Sequence, residues 1–455
     1  MCRGSNILPL VLFLAMLIVG TGMVVKGQPS TPQFQGFQPV VGAPPNTTAS
    51  IQPPQNGLLN SSIYSTPAQK RREAEQLISE FQHTNKPVTK TNAPAYDPVA
   101  NALAIKDFPK ALDHLNRMLK GKVHLSVADA YYTVESAYGN AYITRQQYDD
   151  AIKESVTFIK EWMLQNGLDT KDNYVLNFAI QKFMSEPLTI HKTISTTDKG
   201  EKITTITHQP FHYDYDDYQG QKDIRNSFLT KCIATGFGTC SSMPAVYLVL
   251  AEGLGAKAYL TIAPQHSFIK YTDKDGNIIN YEPTSNWEIS DNWYKDNLFI
   301  SPQAIATGAY LDTLNSRQIV ANDIFDLALE YMHVDRSLND DFILDCLKSG
   351  KAYFPKNNNL EALFIYSLHV KTELRETMRK NGITHIEDVG KSPEAKKLYD
   401  EYVANEAYIA KLGYQDIPPG MYEEMLNQHE FKGKIQKQYN INGKEKRNLF
   451  NKIEQ

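Results

Sequence analysis

Cysteine is scarce in this chain, with four in 455 residues. That excludes a fold held together by a disulfide framework. Cys2 lies in an N-terminal apolar segment, so Cys232, Cys240 and Cys346 remain for the body. An odd set of three allows at most one bridge among them and leaves at least one thiol over. Basic runs are also missing. Lys and Arg number 47 against 51 Asp and Glu, a net charge of −4. Nucleic acid is therefore excluded as a partner, because phosphate binding needs concentrated positive charge. Only one long apolar run exists, Ile7–Val25, so the rest of the chain should be soluble. Histidine and cysteine show no metal-ligand spacing. His208 and His212 are four apart but straddle Pro210, which argues against a ligand pair on one helix. An EF-hand loop starting at Asp214 would need Asp or Asn at position 218, where Tyr218 stands. Asp214, Asp216, Asp217 and Asp223 accordingly read as a solvated surface. No metal or cofactor is expected.

What is present divides the chain into six parts. Residues 1–27 combine Arg3, the uncharged run and a small-residue exit, "VVKGQPS". They read as a signal peptide or an N-terminal membrane anchor, and either exports the remainder. Residues 28–66 are rich in Pro, Gln, Ser and Thr and form a linker that cannot bury enough apolar surface to order itself. It carries glycosylation sequons at Asn46 and Asn60. Residues 67–185 have helical periodicity in "AEQLISEFQ", "FPKALDHLNRML", "VADAYYTVESAYGNAY" and "YDDAIKESVTFIKEWML", the last opening on Asp149 and Asp150. Residues 186–300 begin with alternating apolar and Thr residues, Leu188 to His208, around "TTDKGEK", which predicts a hairpin. Residues 301–430 return to amphipathic helices, and "SGKAYFPKNNNLEALF" resembles the junction of two tetratricopeptide (TPR) repeats. Residues 431–455 are a polar tail.

The chemistry concentrates between Gly236 and Asn286. "GFGTCSSMPAVYLVLAEGLG" is a glycine turn followed by a helix that ends at Gly255, so Cys240 stands at the helix N-terminus. The exposed N–H groups and positive dipole end there favour a thiolate, and the same groups could hold a developing oxyanion. "AKAYLTIAP" predicts a strand, and "HSFIKY" and "IINYEPTSN" predict two antiparallel strands joined at "TDKDGN". A turn symmetric about Lys274 makes His266 and Glu282 directly opposed cross-strand neighbours. A thiol nucleophile needs a base near neutral pH, and the base needs a group that fixes its tautomer. Cys240, His266 and Glu282 supply those three roles. Cys232 and Cys346 read as core residues or as a pair.

These residues resemble the transglutaminase-like superfamily of papain-related thiol enzymes. The shared features are "GTC" at a helix start, a His opening a strand, and a "D-P-T"-type triplet on the next strand, here "EPT". The resemblance covers residues 186–300. It implies an α+β fold with an antiparallel sheet, flanked by the N-terminal helical layer and the C-terminal TPR-like region. It also implies Cys240 as nucleophile, His266 as base and Glu282 as orienter. Glu282 stands where Asp is usual, and Phe268 where Trp is frequent. With TPR-like helices after it, the thiol domain resembles exported bacterial members of the superfamily. The expected function is amide or peptide hydrolysis, or acyl transfer, on a protein or peptide substrate, with the TPR-like helices taking a protein partner. The alternative is a non-catalytic interaction scaffold with a degenerate thiol domain.

Overall fold

The structure is a computed structural model that describes residues 105–421, except 140, 197–199, 216, 219, 221, 222, 336–339 and 419. The export segment, the linker with its sequons, the "AEQLISEFQ" helix and the polar tail lie outside the described residues.

Four helices come first: α1 (Phe108–Leu119), α2 (Val127–Tyr138), α3 (Arg145–Gln165) and α4 (Asn173–Ser185). Polar caps set the starts of the last three. The Ser126 hydroxyl accepts the Asp129 amide, and Asp172 accepts the amides of Tyr174 and Val175. Thr144 and Gln147 form a reciprocal capping box that opens α3. This corrects the expected start of α3. Asp149 and Asp150 lie in its second turn, where Asp149 pairs with Arg145 at 2.8 Å. Apolar periodicity begins only at Tyr148, so it is silent about the polar turn before it.

Strands β1 (Leu188–Thr196) and β2 (Gly200–His208) pair antiparallel as a hairpin. β3 (His212–Tyr213) pairs parallel with β4 (Phe237–Gly238), on either side of α5 (Leu229–Thr235). Helix α6 (Ser242–Leu254) follows, and every residue from Ser242 to Ala251 is buried. A helix apolar on all sides belongs at the centre of a domain. Accordingly α6 packs against α2, α3, α4 and α5, and against β5 (Tyr259–Ala263) and β6 (His266–Thr272). Gly253 admits α3 closely, since a Cβ there would lie 2.5 Å from Val156 Cγ2.

β7 (Ile278–Glu282), β8 (Trp287–Glu288) and β9 (Thr313–Leu314) complete a five-stranded antiparallel sheet of order β8-β7-β6-β5-β9. Short helices α7 (Asp291–Asn297) and α8 (Pro302–Thr307) lie between β8 and β9. The C-terminal helices are α9 (Ser316–Asp335), α10 (Asp341–Lys351), α11 (Leu360–Lys380) and α12 (Pro393–Lys411). Each packs on the next, and α9 also packs on α1 and α2. The class is α+β. Helices from both flanks and the sheet share one core that runs from Phe108 to Leu412.

Carboxylates, one buried and one exposed, tie distant helix ends to this core. Glu135 of α2, 0% exposed, accepts the amides of Leu229 and Thr230 at 2.6 and 2.9 Å and so caps α5. Glu252 of α6 accepts the amides of Val127 and Ala128 at the start of α2, at 2.9 and 3.0 Å. The acidic stretch after β2 also differs from expectation. Asp214 is buried against Lys231 at 2.7 Å rather than solvated. Asp223 accepts the Arg225 amide and pairs with its guanidinium at 2.6 Å. Two of the four acids are therefore structural, because the tertiary fold brings cations to them. Among the described residues, no group of three His, Cys, Asp or Glu could hold a metal ion, and no helix is long and apolar enough to cross a membrane. Cys232 and Cys346 are both free and buried, so they do not pair.

His208 closes the hairpin onto α4. Its ring stacks on Phe183 at 3.5 Å between centroids, and its Nε2–H donates to the Phe183 carbonyl at 2.7 Å. Burial pulls the imidazole down to about 4 from an ordinary 6.5. The folded protein then binds fewer protons than the unfolded chain between those two values. Stability is highest above pH 6.5 and falls as pH drops toward 4. The expected loss between pH 7 and pH 5 from this residue is about 2 kcal/mol. Urea unfolding of wild type and His208→Phe at both pH values measures it, and an equal pH dependence in the two proteins rejects it.

Candidate active site

Helix α6 sets the position of Cys240, which immediately precedes the first cap residue, Ser241. The approach is made by the parallel β3–β4 contact and by Gly236, whose φ of +74° a side chain would rarely adopt. Gly238 is needed for space. A Cβ there would meet the Cys232 sulfur at 2.6 Å and Met243 at 2.7 Å. Thr239 fastens the turn, its amide donating to Ser242 Oγ at 2.9 Å and its Oγ1 accepting the Ser241 amide at 3.3 Å. The Met243 amide bonds the Thr239 carbonyl. The Ser241 and Met243 amides are thus already used by the turn and do not serve as oxyanion donors.

β5 and β6 are joined by Pro264 and Gln265 alone, with Ala263 opposite His266. Pro264 suits the first central position of such a turn, and Gln265 takes the positive φ of the second, +55°, where Gly or Asn is usual. This turn meets the cysteine. The Gln265 carbonyl oxygen lies 3.9 Å from Cys240 Sγ, and Ser267 Oγ–H donates to the Cys240 carbonyl at 2.7 Å.

His266 and Glu282 touch directly, Nε2 to Oε2 at 2.5 Å, and both side chains are 0% exposed. The register differs from the expected one. Ile269 faces Tyr281 and Thr272 faces Ile278, so the β6–β7 turn is centred on Asp275, not Lys274. Extending that ladder puts Glu282 opposite Phe268 and makes His266 its diagonal neighbour. Asp273 organises the turn by accepting the amides of Asp275 and Asn277, and Gly276 takes φ +82°. A slip of two residues leaves every side chain on its expected face. Diagonal Cβ atoms are about 7–8 Å apart, within reach of a long side chain. Glu spans that gap, which gives the departure from Asp a geometric reason.

Four donors converge on the Glu282 carboxylate. Oε2 accepts His266 and the Tyr294 hydroxyl, the latter at 2.7 Å. Oε1 accepts the Thr284 amide at 3.1 Å and its hydroxyl at 2.7 Å. Burial, then the Glu282 charge, pushes the Tyr294 hydroxyl well above its ordinary 10, so it remains a donor. Its ring stacks on Phe268 at 3.9 Å. Helix α7 thereby covers the sheet face that holds His266 and Glu282. On the opposite face Tyr271 accepts from Gln181 of α4, and Tyr281 meets Tyr247 of α6.

The geometry therefore joins two of the three predicted residues directly and sets Cys240 beside them through the Pro264–Gln265 turn. Cys240 is 0% exposed. Tyr294, Ser267 and Gln265 escaped sequence reasoning. Thr284 was visible in "EPT", but nothing in "DNWYKDN" singles out Tyr294 until α7 folds over the sheet. Comparison of the chain with protein-family models, with curated proteins and with solved structures finds no match.

Proposed function

We propose that the chain is a thiol enzyme of the acyl-transfer class. Its particular kind, on the residues that resemble the superfamily, is an exported transglutaminase-like cysteine hydrolase or transferase acting on amide bonds of a protein or peptide. The observation that carries this reading is the fully buried His266–Glu282 pair on the hairpin that abuts Cys240. With Nε2 committed to Glu282, Nδ1 is the nitrogen that exchanges a proton with the thiol. The Cys240 thiolate attacks the amide carbonyl, the C–N bond breaks, and His266 passes its proton to the departing amine. Water or a second amine then attacks the thioester, giving its proton to His266 as the C–S bond breaks and the thiolate returns. The C-terminal helices present the protein substrate or partner.

This chemistry requires Cys240 in its reduced form. The zero exposure of Cys240 favours a second reading, a non-catalytic scaffold in which the cysteine is a packed residue. Intact-protein mass spectrometry separates the two. Reduced wild type incubated with glutamine-containing peptides, with and without an alkylamine, should yield products and a thioester adduct on Cys240. Cys240→Ala should yield neither. Product formation at equal rates in both proteins rules out the thiol mechanism.

A further inference from the structure

The β1–β2 hairpin has two edges, and the fold treats them differently. β1 packs on α3, whose last residue, Gln165, clamps it. Gln165 Nε2 donates to the His191 carbonyl at 2.8 Å, and its Oε1 accepts the His191 amide at 2.9 Å. That side-chain amide copies a neighbouring strand and closes the edge to another. The outer edge of β2 has no such cover. β1 and β2 form a sheet of two strands, and among the described residues nothing pairs with β2 on its other side.

The Gln165 clamp also fixes which backbone groups point outward. Residues opposed in an antiparallel pair alternate between exchanging hydrogen bonds and turning those groups away. His191 spends its groups on Gln165, so it and its partner Thr205 turn theirs away from each other. The same alternation covers Thr189 with Thr207 and Thr193 with Ile203. Side chains come closest in such pairs, and the Thr189 and Thr207 hydroxyls meet at 3.3 Å. Ile203, Thr205 and Thr207 therefore aim their N–H and C=O groups out of the sheet edge. Natural edges of this kind carry a charge, a bulge or a proline that keeps other strands off. The run from Ile203 to Thr207 is "ITTIT", with no charge and no proline. Ile203 is 69% exposed and Ile206 39%, although Ile190 opposite Ile206 is buried. The apolar face of the hairpin stops unfinished at this edge.

We propose that the edge is a dimer interface, taken by β2 of a second copy of the chain. A row of alternating N–H and C=O groups is matched by an extended backbone. A second β2 supplies one without bringing like charges together, because the run is neutral. Antiparallel pairing about Thr205 sets Thr205 against itself and Ile203 against Thr207 across the two-fold axis. Each of these pairs exchanges two hydrogen bonds. Ile206 then faces Thr204 across the same axis and loses exposure. Because Gln165 closes the β1 edge, each hairpin offers one open edge, and the assembly stops at two copies. The inference does not rest on the thiol chemistry.

Sedimentation equilibrium of the full-length chain under reducing conditions tests it. Wild type should dimerise with a dissociation constant of about 10 µM, as befits a small interface made mainly by backbone. Thr205→Lys places two like charges on the two-fold axis and should weaken the dimer at least about tenfold, as should Thr205→Glu. Mixing the two variants should restore the dimer, because Lys and Glu then face each other. Thr205 is exposed and its N–H is turned away from β1, so both variants keep the hairpin, and circular dichroism checks this. A wild type that stays monomeric at about 200 µM overturns the proposal and leaves a strand of another protein as the occupant. A dimer unmoved by either charge overturns it too, as does a mixture that fails to associate.

Discussion

After reduction, limiting iodoacetamide at pH 7.5 should label Cys240 at least about 1000-fold faster than Cys232 or Cys346. Only the thiolate alkylates at a useful rate. Burial pushes the Cys232 thiol up to about 12, with the Lys231 charge opposing only in part. At pH 7.5 such a thiol is ionised to roughly one part in 30,000. Burial likewise raises Cys346 well above its ordinary 9. Both are inert core residues. Cys240 differs in its position, just before the first cap of α6 and against the β5–β6 turn that carries His266, whose imidazole takes the thiol proton in the proposed mechanism. Reduction comes first so that all three cysteines are read as thiols. Peptide mapping of a time course gives the three rates. Slow and equal labelling of all three cysteines would sink the nucleophile assignment and leave the scaffold standing.

Replacing Glu282 should be the most damaging change outside the cysteine, and three variants separate its roles. Glu282→Gln preserves shape but offers His266 and Tyr294 a poorer acceptor, and it loses control of the imidazole tautomer. A loss of about 10⁴ in kcat is expected, with folding retained. Glu282→Asp keeps the charge but shortens the arm by one methylene. Across the diagonal register the His266 contact then opens from 2.5 Å by about 1.5 Å. A loss of about 10²-fold should follow, because misplacement by about 1 Å is costly in a site that depends on orientation. Glu282→Ala leaves the buried donors of His266 and Tyr294, and the part-buried Thr284, without their acceptor. It should cost about 3–5 kcal/mol of stability as well as activity. Single-turnover kinetics and urea unfolding, run side by side, test all three. Full activity in Glu282→Gln would falsify the orienting role.

Much of the local architecture was legible. Helices α1 and α6 lie where the apolar pattern put them, because a 3.6-residue period and terminal Pro or Gly residues are local signals. The β1–β2 hairpin spans the alternating stretch Leu188–His208. The shared face of His266 and Glu282 was also legible, since a period of two assigns faces by parity. Their register was not. It depends on how Asp273 and Gly276 shape the turn, and a symmetric turn about Lys274 would have fitted the alternation equally well. The start of α3 was misplaced for a related reason, as its capping box is polar and precedes the apolar pattern.

The sequence by itself determined the α+β class, the order of elements and the residue types offered for thiol chemistry. Periodicity, turn residues and composition act over a few neighbours and need no fold to be read. The tertiary structure alone decided that Asp214 is paired rather than solvated, and that Tyr294 closes over Glu282. It alone set the Gln265 carbonyl beside the cysteine. Those outcomes depend on long-range packing, where the energy of a buried charge or carboxylate is set by partners that no local pattern can name.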